Sequence, residues 1–270
     1  MKRRPFLTVI VALAIVICLA PTLWLVVTSL KAEKDVIVDH PAIFTTAPTI
    51  VNYANAFRNT GIARWLLNSL IVSAAATLIT LAADAMIAYA LSRIRFRGSK
   101  ALLIFVLAGM MVPFEALIIQ LYLEFNYLGM IDTLMAVILP RLALPIGVFI
   151  LVQFFNGIPA ALEEAAYIDG AGRWRIFWSV ILPLGKAALV TVIILSFINA
   201  WNDFLWPLVA VSESAKYTIT VGIANFQGTH GTEYSLIMAG ALIASAPQFA
   251  LFLGFRDQIV KGIAMTGIKG

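Results

Sequence analysis

Glu164, Ala165, Ala166, Asp169, Gly170 and Ala171 fall within eight consecutive positions, followed by Phe177, Leu182 and Pro183, in a chain whose flanking stretches are strongly apolar. The carboxylates of Glu164 and Asp169 suit charge-assisted hydrogen bonding to basic or backbone donors. The alanines permit close approach of another surface. The pattern is amphipathic and helical as far as Asp169, breaks at Gly170 and resumes, which predicts a short helix, a turn and a second helix lying at a membrane surface.

A second group of chemically capable residues lies inside apolar runs: Asp84, Glu115, Arg141 and Asp203. A charge at the centre of a bilayer costs on the order of 3 kcal/mol unless it is paired or wet, so none of these is expected to face lipid. Arg141 has two candidate partners, Glu115 and Asp203. A structural ion pair is one reading of the set; the other is a polar passage for a hydroxyl-rich solute lined by Glu115, Asn199, Asn202 and Asp203, with Trp201, Phe204 or Trp206 offering a flat apolar face. Asn199 and Asn202 are three apart on one helix, and Trp206 continues that face. An unpaired Arg141 in a wet passage would favour an acidic or sulfonated solute. Catalytic and metal chemistry is not expected: His40 and His230 are the two histidines, both in loops, Cys18 is the single cysteine and reads as a small packing residue, and Asp84, Glu115 and Asp203 lie at different depths.

The elements that must position these residues are membrane helices. Of 270 residues 61% are hydrophobic and 12% charged, with mean hydropathy +0.95, beyond the mix of a soluble domain. Apolar runs near 20 residues long predict six spans, at about 6–30, 65–91, 101–123, 134–155, 187–210 and 234–255, the third carrying Glu115 and the fifth Asp203. In lipid the backbone must satisfy itself, so the spans are helical and the fold class is an all-α polytopic membrane protein. The first run follows Lys2, Arg3 and Arg4 as a secretory signal would, but it is too long for a signal core and reads as a retained span. Basic residues cluster in the N-terminal segment, the Arg93 to Lys100 turn, the loop of Arg173, Arg175 and Lys186, and the tail, which places both termini and the 160–184 loop in the cytoplasm. The net charge of +5 is thus a topology signal, and no basic run interleaved with aromatics suggests nucleic acid. One membrane domain over 1–270 is expected, with no internal repeat or linker.

Glu164-Ala165-Ala166, Asp169-Gly170-Ala171, Phe177 and Leu182-Pro183 resemble the EAA loop of permease subunits in bacterial ABC importers, and the Asp-Gly-Ala form is similar to the carbohydrate-uptake, maltose-type branch. Asn68-Ser69, Met111-Val112-Pro113, Trp201-Asn202-Asp203-Phe204, Gln258 and the terminal Gly267-Ile268-Lys269-Gly270 follow in that family's order, with Asp203 where the family commonly has Glu. The resemblance implies a type I importer permease fold and a non-catalytic subunit. It implies two cytoplasmic ATPase copies that hold the ATP and magnesium, a second related permease, an extracytoplasmic sugar-binding protein and a location in the bacterial inner membrane. No Gly-x-x-x-x-Gly-Lys-[Ser/Thr] run occurs in the chain, in keeping with ATP hydrolysis elsewhere. Glu164 to Ala171 with Phe177, Leu182 and Pro183 would be the ATPase-coupling segment, and the 258–270 tail a second point of ATPase contact. An ion-coupled secondary carrier is the alternative that the intramembrane carboxylates leave open.

Overall fold

A computed structural model describes residues 5–38, 47–94, 96–226 and 233–267, with backbone alone for 5–7 and 257–267. His40, Arg95 and His230 lie outside the described residues, as do the 268–270 end of the tail and the side chain of Gln258. The helices in chain order are α1 Pro5–Ser29, α2 Val51–Asn59, α3 Ile62–Arg93, α4 Ser99–Ala108, α5 Ile118–Tyr127, α6 Leu134–Ile138, α7 Pro145–Asn156, α8 Ala160–Ile168, α9 Arg173–Ile176, α10 Leu182–Leu184, α11 Lys186–Trp201, α12 Leu205–Ala210, α13 Ile219–Ala224 and α14 Tyr234–Gly267. No strand occurs among the described residues.

Three unbroken helical stretches are long and apolar enough to cross a bilayer, Thr8–Ser29, Ile62–Arg93 and Tyr234–Arg256. The others are broken. Ser99–Met111 and Phe114–Tyr127 meet at 85°, and Leu134–Arg141 and Pro145–Asn156 at 43°. Proline explains both breaks: Pro113 holds Val112 in an extended conformation (φ −90°, ψ 113°), and Pro140 and Pro145 bracket the second bend. The run expected as one helix over 187–210 is two, because α11 ends at Trp201 and α12 starts at Leu205. Asn202 and Asp203 fall in that gap, residues whose side chains compete with the backbone for hydrogen bonds and so favour helix ends. Cys18 is exposed on α1, whose apolar surface is not packed within the chain, rather than being a packing residue.

Contacts divide the chain into two compact units, residues 1–66 with 219–247, and 67–218 with 248–270. In the first, helix ends are capped by side chains. Asn52 Nδ2 donates to the Ser29 and Lys31 carbonyls at 2.8 Å each, taking up orphan acceptors past the end of α1. The Glu33 carboxylate accepts from the Tyr234 and Ser235 amides at 2.9 and 2.8 Å, where its charge also suits the N-terminal dipole of α14. Gly222 is required there: a Cβ would stand 2.1 Å from the Trp65 ring.

In the second unit α3 buries a stripe of small and polar residues, Ser69, Ser73, Ala76, Thr77, Thr80, Asp84 and Ala88, at helical spacing. Small residues let neighbouring helices approach closely where lipid supplies no hydrophobic drive. Gly147 of α7 meets this stripe so tightly that a Cβ would lie 2.2 Å from Asp84 Oδ2. Two apolar clusters flank the stripe. One joins Ala88, Tyr89, Leu151, Phe155, Ile176, Phe177, Ile181 and Val192; the other joins Val72, Ile118, Phe125, Val137, Trp206 and Ala210.

Candidate functional site: a surface hook and a polar cavity

The segment after α7 folds as a hook. At the C-terminus of α8 the Ala171 amide donates to the Ala166 carbonyl at 2.9 Å and the Gly170 amide to Tyr167 at 3.0 Å. Those two bonds around a residue at φ +78° make a Schellman cap, and a glycine at Gly170 is what the left-handed backbone there requires. The apolar contact that completes such a cap comes from Ala166 and Ala171, both packed against the Phe155 and Ile176 cluster. α9 then starts at Arg173 and runs through a π turn, Phe177–Ile181, into α10. Pro183 cannot donate to the carbonyl four residues back, and the widened turn before it accommodates the loss. Gly185 makes the elbow into α11, where a Cβ would lie 2.8 Å from Phe155 Cε1. The two helical stretches, Arg173–Leu184 and Lys186–Trp201, meet at 80°.

The expected coupling residues therefore divide by what they face. Glu164, Ala165, Asp169, Gly170 and Pro183 are exposed and form the outward face of the hook. Ala166, Ala171 and Leu182 pack inward against the cluster. Phe177 is 2% exposed and wedged among rings, 5.1 Å from Tyr89, 6.0 Å from Trp174 and 5.5 Å from Trp178. It is the anchor of the hook and no part of its outward face.

What ties the hook down is a pair not singled out in the sequence. Glu163, next to the exposed Glu164 but on the inward side of α8, is buried, and its Oε1 lies 3.0 Å from Arg93 Nη1. Arg93 is the last residue of α3, and its Nη2 donates to the carbonyls of Phe155 and Ile158, the latter at 2.6 Å. One guanidinium thus caps the C-terminus of α7, where acceptors are orphaned, and holds α8 to the end of α3. A signal was available: Glu163 is three residues before Ala166, the inward-facing member of the motif, so the two share a face.

The passage residues are gathered only in part. Arg141 takes Asp203 over Glu115, with Nε at 2.8 Å and Nη2 at 2.6 Å from Asp203 Oδ2, and its guanidinium lies 3.9 Å over the Phe114 ring. Asn199 lines a cavity of about 270 Å³ together with Thr80, Phe114, Arg141, Leu144 and Ser196. Glu115, Asn202 and Phe204 are exposed, and Asn202 Oδ1 accepts from Gln248 Nε2. Trp201 and Trp206 do not offer the flat faces expected of them. Trp201 is 2% exposed and stacked on Phe197 at 5.5 Å. Trp206 is fully buried, donates its Nε1 hydrogen to the Ala136 carbonyl at 2.9 Å and sits edge-on to Phe114 and Phe125. The helix break at Asn202 rotates Trp206 off the Asn199 face, so spacing counted along an unbroken helix misplaced it. Among the described residues no cluster of histidine, cysteine and carboxylates could hold a metal ion.

Comparison with known proteins finds relatives along almost the whole chain. A sulfoquinovosyl glycerol transport system permease protein of Agrobacterium fabrum is 33% identical over 269 residues, covering 99% of this chain and 94% of that protein. A trehalose/maltose transport system permease protein of Thermococcus litoralis is 34% identical over 273 residues, covering 99% and 98%. A crystal structure of a bacterial ABC transporter involved in the import of the acidic polysaccharide alginate contains a chain with the same fold, at TM-score 0.81, 21% identity and coverage of 93% and 94%. Membership of a binding-protein-dependent transport family sets aside the ion-coupled carrier. The profile described as binding-protein-dependent transport system inner membrane component matches residues 84–264, from the buried Asp84 through the hook and into α14, and the chain belongs to that family.

Proposed function

We propose that this chain is the permease subunit of an ATP-driven carbohydrate importer, forming half of the translocation pathway and receiving the force of ATP hydrolysis through the α8 hook. The observation that carries the reading is the hook itself. Its outward face presents Glu164, Ala165, Asp169 and Gly170 while its inner face is fixed by Phe177 and by the Arg93–Glu163 pair. A face of two carboxylates and small residues on a rigid base fits a groove in a cytoplasmic ATPase. When that groove moves, a hook fastened to α3, α7 and α11 passes the displacement to the spans. Basic residues beside the hook, Arg173, Arg175 and Lys186, favour its cytoplasmic placement. The carbohydrate assignment follows relatives named for trehalose or maltose and for a sulfoquinovosyl glycerol. The partners on this reading are two ATPase copies that hold ATP and magnesium, a related permease and an external sugar-binding protein; this chain holds no cofactor and does no catalysis.

Proteoliposomes carrying the four-subunit complex test the reading. ATP inside and the sugar-charged binding protein outside should drive accumulation of labelled sugar. Uptake that follows an ion gradient with no ATP present would overturn it.

A further inference from the structure

We infer that the cavity beside Arg141 is a subsite for a single neutral sugar ring, and that Asp203 sets its charge preference by occupying the guanidinium. The inference rests on the carbohydrate-importer reading and adds to it a ligand class and a selectivity device.

The cavity is built by backbone that leaves the helix. Its wall includes Val112, Pro140, Leu144 and Pro145, at the bends of the two proline-broken spans. Irregular backbone at membrane depth is tolerated where it lines a cavity, and discontinuous helices are how transporters build solute sites. At about 270 Å³ the space lies just under the roughly 300 to 1,000 Å³ of pockets that take drug-sized ligands, so it suits one ring and excludes an oligosaccharide in full.

Its polar groups are those that hydroxyls require. The Ser196 Oγ is buried and has no hydrogen-bond partner among the described residues, a state that costs stability unless a ligand or water completes it. Asn199, three residues along the same helix face, lines the same space with an amide that can both donate and accept. The Thr80 hydroxyl donates to the Arg141 carbonyl at 3.1 Å, which leaves its lone pairs to accept.

Arg141 is the one charged side chain among the described residues lining the cavity. Left alone it would recruit a carboxylate or sulfonate. It is not alone: Nε and Nη2 both donate to Asp203 Oδ2, and one face of the guanidinium is covered by Phe114. The Asp203 side chain is 6% exposed, so an anionic sugar that displaced it from Arg141 would leave a buried carboxylate without its countercharge. Asp203 thereby acts as a resident anion. It neutralises the site and rejects acidic rings while a neutral ring pays no such penalty.

The test uses the whole transporter complex in lipid nanodiscs without the external binding protein, whose own selectivity would mask that of the cavity. Ligand-observed NMR, which reads weak binding, compares methyl α-D-glucopyranoside with methyl α-D-glucuronide. The unaltered complex should bind the neutral probe and discriminate against the acidic one. Asp203→Asn should raise acidic-probe binding roughly tenfold or more by freeing Arg141, and adding Arg141→Gln should abolish that gain. Asn199→Ala and Ser196→Ala should each weaken the neutral probe severalfold, and they test the subsite even if Asp203→Asn does not assemble. Equal binding of both probes by the unaltered complex, no neutral binding, or an unchanged preference in Asp203→Asn would overturn the inference. ATPase stimulation by the sugar-charged binding protein, measured on the same preparations, separates the two failures: coupling intact with preference unmoved sinks this inference alone, whereas no coupling in the unaltered complex sinks the importer reading.

Discussion

Arg93 Nη1 lies 3.0 Å from Glu163 Oε1, and the same guanidinium donates to the carbonyls of Phe155 and Ile158. Three elements are thereby locked at one point: the end of α3, the end of α7 and the inner face of α8. Both side chains are about nine-tenths buried, so removing either leaves the other charge stranded at a cost of about 3 to 5 kcal/mol. Arg93→Ala and Glu163→Ala should each keep the chain in the membrane while lowering binding-protein-stimulated ATPase activity by tenfold or more. Arg93→Lys, which keeps the charge but cannot fork to two carbonyls and a carboxylate, should rescue only in part. Unchanged stimulation in both alanine variants would show that the hook is held well enough without the pair.

On the outward side of the same helix the expectation differs, because Glu164 is exposed and its loss strands nothing. Glu164→Lys should abolish coupled ATPase stimulation through charge reversal at the partner surface, with expression and thermal stability within about 0.5 kcal/mol of the parent. Gly170→Ala places a Cβ in the left-handed region for about 1 kcal/mol. Gly170→Pro should be more severe, since proline cannot adopt φ +78° and removes the amide bonded to Tyr167. Loss of membrane insertion in either glycine variant, in place of loss of coupling, would point to a folding role for the turn.

Gly147 and Asp84 supply a packing test independent of the hook. A Cβ at Gly147 would stand 2.2 Å from Asp84 Oδ2 and 3.2 Å from Val192 Cγ1, so the buried Asp84 carboxylate must turn aside within a packed interface. Gly147→Ala should destabilise the detergent-solubilised protein by about 1 to 3 kcal/mol. Asp84→Ala in the same chain should recover part of the loss, a coupling that thermal unfolding of the four-member cycle would read.

How much of this was legible beforehand depended on whether a residue's role is local or made by tertiary contact. The helix, the Gly170 break and the second helix followed from composition and spacing, because a Schellman cap is a local structure with a local signature. The pairing of Arg141 was narrowed to Glu115 or Asp203 by depth alone, and packing chose Asp203. Trp206 departs from the face that an unbroken helix would give it because the helix ends before Asn202, and beyond the break Trp206 packs into the core. The Arg93–Glu163 pair is invisible in the sequence for a related reason. Arg93 read as one basic residue in a turn, and nothing in a single sequence states that residues 70 positions apart share a point in space.

Asp132 offers a pH-dependent test away from the spans. It sits between α5 and α6 at φ +63°, a region that Asp tolerates better than most side chains. Its Oδ1 accepts from the amides of Ser212 and Glu213 at 3.0 Å each, and its Oδ2 lies 3.4 Å from Lys216 Nζ. The amide of Glu213, then those of Ser212 and the Lys216 ammonium, outweigh burial and hold the Asp132 carboxyl below its ordinary range. Lys216 is pushed up by Glu213 and then by Asp132. A depressed carboxylate contributes stability that is present above its unfolded pKa and lost as pH falls through the folded one; a raised lysine contributes stability that is present below its unfolded pKa and lost as pH rises through the folded one. The clamp on residues 212–216 is therefore whole across neutral pH, opening below the ordinary Asp range and above the ordinary Lys range. Hydrogen-exchange protection of the Ser212 and Glu213 amides should be flat from pH 5 to 9 in the parent and lost at every pH in Asp132→Ala. Asp132→Asn keeps one acceptor oxygen and should retain partial protection that no longer responds to acid. Protection in Asp132→Ala equal to the parent would show that the backbone of this segment holds its shape without the carboxylate.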